Sequence, residues 1–109
     1  TVVGHNTATI RESLLEKAFE LGEKFITASK EHYDPGIIGP FCLQTCIDKD
    51  MNYSIYDVAP RLGGGTNVHV SVGHPYGNAT WRQPVSSGRR IAMELRRAAE
   101  QDRLLEVLT

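Results

Sequence analysis

Residues 37–67 read IIGPFCLQTCIDKDMNYSIYDVAPRLGGGTN. Two segments of this stretch, 41–47 and 52–59, are rich in β-branched and aromatic residues and alternate in polarity, so they predict strands joined by a short acidic turn. The register decides which side chains meet. A connection of even length, either Lys49-Asp50 or residues 48–51, places Gln44 opposite Ile55. Opposed residues share a face with their i±2 neighbours, so Gln44, Asp57, Ala59 and Arg61 are expected together. A connection one residue longer or shorter would scatter them. A carboxamide, a carboxylate and a guanidinium beside a glycine-rich segment suit a magnesium–polyphosphate site.

On the N-terminal side, residues 1–4 read as the tail of a strand. Thr9-Ile10-Arg11-Glu12 has the form of a capping box, and a helix is expected from there to about Glu31. Leu15, Ala18, Phe19, Gly22, Phe25, Ile26 and Ser29 would form its apolar stripe. Asp34-Pro35-Gly36 supplies turn chemistry to end it. On the C-terminal side, residues 63–84 read as irregular. A short strand is expected over 69–72 and a turn cluster over 73–78, with Trp81 against the core. Ser86 or Ser87 caps a last helix whose stripe is Ile91, Leu95, Ala98 and Leu105, flanked by Arg89, Arg90, Arg96 and Arg97. Helix, hairpin, long connection and helix together imply an α+β fold, an antiparallel sheet covered on one face by helices.

The chain has 109 residues and a net charge of −1. It is one domain or a piece of a larger one, and too short for a complete nucleotide-binding enzyme of the usual α/β kinds. The balance of charge gives no bulk case for nucleic acid or membrane. It is uneven, however: residues 1–57 carry nine acids and five bases, whereas residues 58–109 carry four acids and seven bases, all arginine. Arginine favours bidentate contact with phosphate or carboxylate, although a solvated helix is the commoner explanation. Cys42 and Cys46 sit four apart on one expected strand, ~13 Å at ~3.3 Å per residue, too far to bond each other. Nothing resembles a secreted cross-linked domain, so the cytoplasm is expected. There is no Cys or His spacing for zinc.

Aspartate is disfavoured inside a strand, which singles out Asp57. Pro60 stops the strand after it, Arg61 adds charge, and residues 63–67 can present successive N–H groups to an anion. Alone, the glycine triplet is weak evidence. It has neither the GK[ST] ending of a P-loop nor the GxGxxG spacing of a dinucleotide fold. Asp48-Lys49-Asp50-Met51-Asn52 opens like a calcium loop, but Tyr53 and Ala59 occupy the positions that need glycine and glutamate, which excludes it. His69 and His74 read as loop hydrogen-bonders. His5 and Asn6 stand at the mouth of the first helix, where an anion or a structural cap would be served equally.

Taken in order, RESLLEKAFELGEKF, GPFCLQT, the acidic turn, YDVAPRLGGGTN, a G-x-PY turn and SSGRRIA resemble the C-terminal part of archaeal formate-dependent phosphoribosylaminoimidazolecarboxamide ligases. The likeness covers nearly the whole chain. It implies the C-terminal lobe of an ATP-grasp enzyme that uses ATP and formate to formylate aminoimidazole carboxamide ribonucleotide, through formyl phosphate, on the way to IMP. The resemblance also implies that Gln44 and Asp57 stand at the two metal positions, that Arg61 acts on the transferring group, and that Gly64, Gly65, Thr66 and Asn67 approach substrate. Asn6 falls where a ribonucleotide contact is expected. ATP-grasp proteins usually carry an acid at the first metal position, where Gln44 brings no charge; Ala59 removes a possible oxygen ligand, as the ligases it resembles also lack the asparagine found there in other ATP-grasp proteins.

From this resemblance, residues 1–109 are expected to form one C-terminal ATP-grasp-type domain of a longer ligase, inactive alone. Magnesium and ATP, formate, the ribonucleotide and the remainder of the parent ligase are the expected partners, with a homo-oligomer and no nucleic acid or membrane. The rival reading is a non-catalytic or altered-specificity paralogue that binds nucleotide or a partner subunit. A nucleic-acid module using the arginine face is weaker, because no stacking aromatics interleave with those arginines.

Overall fold

The computed structural model describes residue 1 and residues 3–108. It is α+β, as expected, with one antiparallel sheet of two strands. The chain divides into two units, Ala8–Gly63 and Thr1–Thr7 with Gly64–Thr109.

The first unit holds helix α1, Glu12–His32, and strands β1, Cys42–Ile47, and β2, Tyr53–Ala59. The capping box does not form. Arg11 is the extended N-cap and makes no side-chain bond, so the helix begins three residues after Thr9, with Glu12 in its first turn. A carboxylate there meets the positive end of the helix directly. The inward stripe also differs in phase. Leu14 is buried, whereas Phe19 is 60% exposed. Leu14, Leu15, Ala18, Leu21, Gly22, Phe25, Ile26 and Ser29 carry the protected side, and Phe19 lies a step of ~100° away. Ser29 Oγ accepts the Ile37 N–H at 3.0 Å and donates to the Ile26 carbonyl at 2.7 Å, tying the returning chain to the helix.

The hairpin corrects the sequence-based register. Asp48 N–H donates to the Asn52 carbonyl at 3.0 Å, and Met51 N–H to the Asp48 carbonyl at 3.1 Å. The connection is therefore the three residues Lys49-Asp50-Met51, with Met51 left-handed at φ 63°, a common way to close a three-residue loop. Asp48 Oδ1 accepts the N–H groups of Asp50 and Asn52, at 2.8 and 2.9 Å. Ile47 pairs with Tyr53 and Thr45 with Ile55, so Gln44 is not opposite Ile55. An odd connection by itself would send Gln44 and Asp57 to opposite faces. A β-bulge prevents this: the register shifts between Gln44 and Thr45, Tyr56 is left without a partner, and Gln44 pairs directly with Asp57.

The alternation then sorts cleanly. Leu43, Thr45, Ile47, Tyr53, Ile55 and Val58 share one face; Cys42, Gln44, Cys46, Ser54, Asp57 and Ala59 share the other. Phe41 continues the first set and meets Phe25 of α1 at 4.8 Å between ring centroids. Tyr53 donates its hydroxyl to the Leu14 carbonyl at 3.2 Å. These contacts tie α1 to the set that holds Phe41 and Tyr53; of the other set, Ala59 is buried and Cys46, Ser54 and Asp57 are exposed. Gly63 closes the unit, and a Cβ there would stand 2.6 Å from Cys42 Sγ. Its lack of a side chain serves close packing.

In the second unit, the expected strand over 69–72 is absent, and the expected turn cluster is a helix. A 3₁₀ helix, Gly64–Val68, leads through turns to α2, Pro75–Trp81. Pro75 at the first helical position fits its fixed φ, and His74 caps it, accepting the Tyr76 N–H at 3.3 Å. Asn78 holds the surrounding loop, donating to the Val72 carbonyl at 2.9 Å and accepting the Val85 N–H at 3.0 Å. Gly73, at φ +77°, lies so close to Asn78 and the Val85 carbonyl that no Cβ would fit. Helix α3, Ser87–Glu100, is capped by Ser86, whose Oγ accepts the Arg89 N–H at 3.2 Å. Ala98 of its expected stripe is buried and Leu95 half-buried, but Ile91 is 40% exposed and Leu105, beyond the helix, 88%. Thr1, Val3 and Gly4 are not in a strand, and Val2 lies outside the described residues. No helix among the described residues is long and apolar enough to cross a membrane.

Candidate metal and phosphate site

The polar face of the hairpin presents the pair that the sequence singled out. Gln44 Nε2 donates to Asp57 Oδ2 across the ladder. Tyr56 donates its hydroxyl to Gln44 Oε1 at 3.4 Å, a long contact for a hydroxyl donor. Asp57 is exposed and Gln44 half-buried. Tyr56 was not singled out by its sequence. It reaches this face because the bulge frees it from strand alternation, and β-bulges often re-aim a side chain in this way.

The remaining predicted residues lie outside the two strands. Arg61 follows the end of β2, where strand alternation no longer governs it, and its Nη1 donates to the Leu62 carbonyl at 2.6 Å. Among the described residues it forms no ion pair with Asp57. Gly64, Gly65, Thr66 and Asn67 lie in the 3₁₀ helix rather than in an open loop. The His5 ring approaches this segment, 3.6 Å from the place a Cβ on Gly64 would occupy. Asn6, next to it, is exposed.

Two further features are structural. His74 stacks on Tyr76 at 5.2 Å and meets His69 edge-on at 5.0 Å. Burial, and then the neighbouring His69 charge, push its pKa below the ordinary histidine value. On α3, Arg90 pairs with Glu94 at 2.7 Å and Arg96 with Glu100 at 2.9 Å. Both are exposed i,i+4 pairs of modest worth, so these two arginines belong to a solvated helix face. Arg90 also lies over the Trp81 ring, 5.4 Å from its centroid.

Among the described residues no group of three or more His, Cys, Asp or Glu could hold a metal alone. The donor set on the hairpin is one carboxylate and one amide. It fits magnesium in a particular sense: this ion keeps several waters and is commonly held by one or two carboxylates with substrate phosphates. Asp57 supplies the carboxylate. Gln44 supplies a carbonyl oxygen only after its amide turns over, because its nitrogen now faces Asp57.

A family model described as a domain of unknown function (DUF1297) matches residues 1–109. A protein of Thermococcus kodakarensis described as 5-formaminoimidazole-4-carboxamide-1-(beta)-D-ribofuranosyl 5'-monophosphate synthetase is 44% identical over 109 residues, covering 100% of this chain and 32% of that relative. A relative of the same description from Methanobrevibacter smithii is 38% identical over 108 residues, covering 99% of this chain and 30% of its own length. A crystal structure described as an IMP biosynthesis protein PurP from Thermococcus kodakaraensis superposes with a TM-score of 0.82 at 40% identity, covering 100% of this chain and 35% of that one. The resemblance read from the motifs is thus met along the chain, which spans about a third of the length of these relatives.

Proposed function

The chain belongs to the DUF1297 family, and from that premise we propose that it forms the C-terminal lobe of an ATP-grasp ligase of IMP biosynthesis. The ligase formylates aminoimidazole carboxamide ribonucleotide. The γ-phosphoryl group of ATP passes to a formate oxygen, giving formyl phosphate and ADP. The ribonucleotide amine then attacks the formyl carbon, loses a proton and expels phosphate. The observation that carries this reading is the direct cross-strand pairing of half-buried Gln44 with exposed Asp57, within a chain 36–44% identical to synthetases of that description.

When bound, magnesium supplies the positive charge that phosphate oxygens need during phosphoryl transfer. Asp57 would hold it, with Gln44 contributing its amide oxygen. Arg61 is exposed, and its guanidinium donates to the neighbouring Leu62 carbonyl. It is free to exchange that bond for a phosphate oxygen, where a cation stabilises developing charge. Gly64, Gly65, Thr66, Asn67 and Asn6 are proposed substrate contacts, the glycines through their N–H groups. The rest of the parent ligase completes the enzyme, which works as a homo-oligomer in the cytoplasm.

One observation favours a second reading. Gln44 satisfies Asp57 internally, as befits a paralogue with reduced or altered chemistry that still binds nucleotide. Formate-dependent release of ADP by the full-length polypeptide separates the two. In the active case, Asp57→Asn lowers magnesium-dependent turnover by more than about tenfold, whereas Asp50→Asn in the turn leaves it nearly unchanged. Equal losses would remove the metal assignment from this face.

A further inference from the structure

Asp57 and Gln44 are not simply two ligands waiting for an ion. A cation between them must meet oxygen from both, yet Gln44 turns its nitrogen to the carboxylate. Turned over without a cation, the amide would set Oε1 against Asp57 Oδ2, acceptor against acceptor. Carboxamide orientation is decided by such networks. The Tyr56 hydroxyl, brought alongside by the bulge, meets the far end of the amide and can donate to an oxygen or accept from a nitrogen there. The preference therefore resides in Asp57, because the Tyr56 hydroxyl, 3.4 Å away, favours neither orientation.

We propose that Gln44 is a toggle, pinned nitrogen-first on Asp57 in the cation-free protein and turned oxygen-first only when a divalent cation arrives together with a polyphosphate. This rests on reading the hairpin face as the cation site, and it adds a condition to that reading. A free divalent ion must break the internal bond to reach a site with a single negative charge. A polyphosphate brings both the missing charge and the missing oxygens. At the paired position a second carboxylate would reverse the balance, because two opposed acids repel until a cation joins them.

The test uses the full-length polypeptide and Mn²⁺, followed by electron paramagnetic resonance with and without tripolyphosphate. With Mn²⁺ alone, Gln44→Glu is expected to bind at least about tenfold more tightly than the unaltered protein, and tripolyphosphate is expected to shrink that gap to about threefold. A second measurement needs no altered fold. The Gln44 side-chain NH₂ resonance, identified by its loss in Gln44→Met, should shift with Mg²⁺ plus tripolyphosphate and stay in place with Mg²⁺ alone. Equal Mn²⁺ affinities in the unaltered protein and Gln44→Glu, or a resonance that moves with Mg²⁺ alone, would overturn the toggle. If Asp57→Asn binds Mn²⁺ with tripolyphosphate as the unaltered protein does, the cation site itself lies elsewhere.

Discussion

At the scale of single residues, His74 shows how a local device sets a pH response. Its ring accepts the Tyr76 N–H as the cap of α2, packs on Tyr76 and faces His69. Burial first, and His69 second, lower its pKa from the ordinary 6.5. Protonation would also replace the accepting nitrogen with a donor pointed at another N–H. The unfolded chain therefore binds a proton that the folded one resists, and stability rises with pH across the interval between the two pKa values. The contribution is intact above the ordinary value and is lost as pH falls through it toward the lowered one. The melting temperature is expected to drop between about pH 7 and pH 5. His74→Asn keeps a good capping side chain and should flatten that drop. His69→Asn should flatten it less, since its charge is the smaller cause. An unchanged acid limb in His74→Asn would assign the response to another group.

At the scale of elements, the hairpin holds the proposed metal pair, and its left-handed residue lies in the turn. Met51 sits at φ 63°, a conformation glycine adopts without steric cost. Met51→Gly is expected to raise stability by about 0.5–1 kcal/mol, and Met51→Val, with a β-branched side chain in the same conformation, to lower it. Thermal unfolding of the two variants against the parent checks both signs; a loss in Met51→Gly would mean that the methionine side chain packs usefully in the turn. The same element shows what its sequence could reveal. Alternation in residues 41–47 and 52–59 located the strands, and Asp57 was recognisable as an acid in a place that disfavours one. The register was not legible, because it depends on two irregularities of opposite effect. Asp48 draws the chain into a three-residue turn through its own carboxylate, and Tyr56 then drops out of the ladder. One residue too many in the turn and one in the strand restore the shared face of Gln44 and Asp57, so the expected shared face followed from a wrong register and a wrong pairing. Elsewhere, Ser86 and α3 were legible from capping and periodicity. Helix α2 was hidden because Gly77 and Asn78 are poor helix formers, and the His74 cap with Asn78 bonds to Val72 and Val85 holds them in place.

For the whole molecule, the sparse core bears on what the chain can do alone. Leu14, Ala59, Val85 and Ala98 are buried, and no described side chain is below 2% accessible. Phe19 and Leu105 belong to apolar stripes expected to face inward, yet they are 60% and 88% exposed. Each is therefore left mostly in solvent rather than packed inward. A chain that spans about a third of its relatives, proposed as one lobe of a ligase, would find a partner surface for them in the remainder of the parent protein. Leu105→Ser should then change the stability of the isolated 109-residue chain by less than about 0.5 kcal/mol, because an exposed position gains little from burial. In the full-length polypeptide it should cost roughly 2 kcal/mol, the worth of a leucine removed from water. The isolated chain should also bind a hydrophobic dye such as anilinonaphthalene sulfonate, and the full-length protein should bind less of it. Denaturant unfolding of both lengths, each with and without the substitution, reads the difference directly. Equal and small costs in the two would mean that Leu105 stays in solvent in the parent as well, and its stripe would need an explanation within this chain.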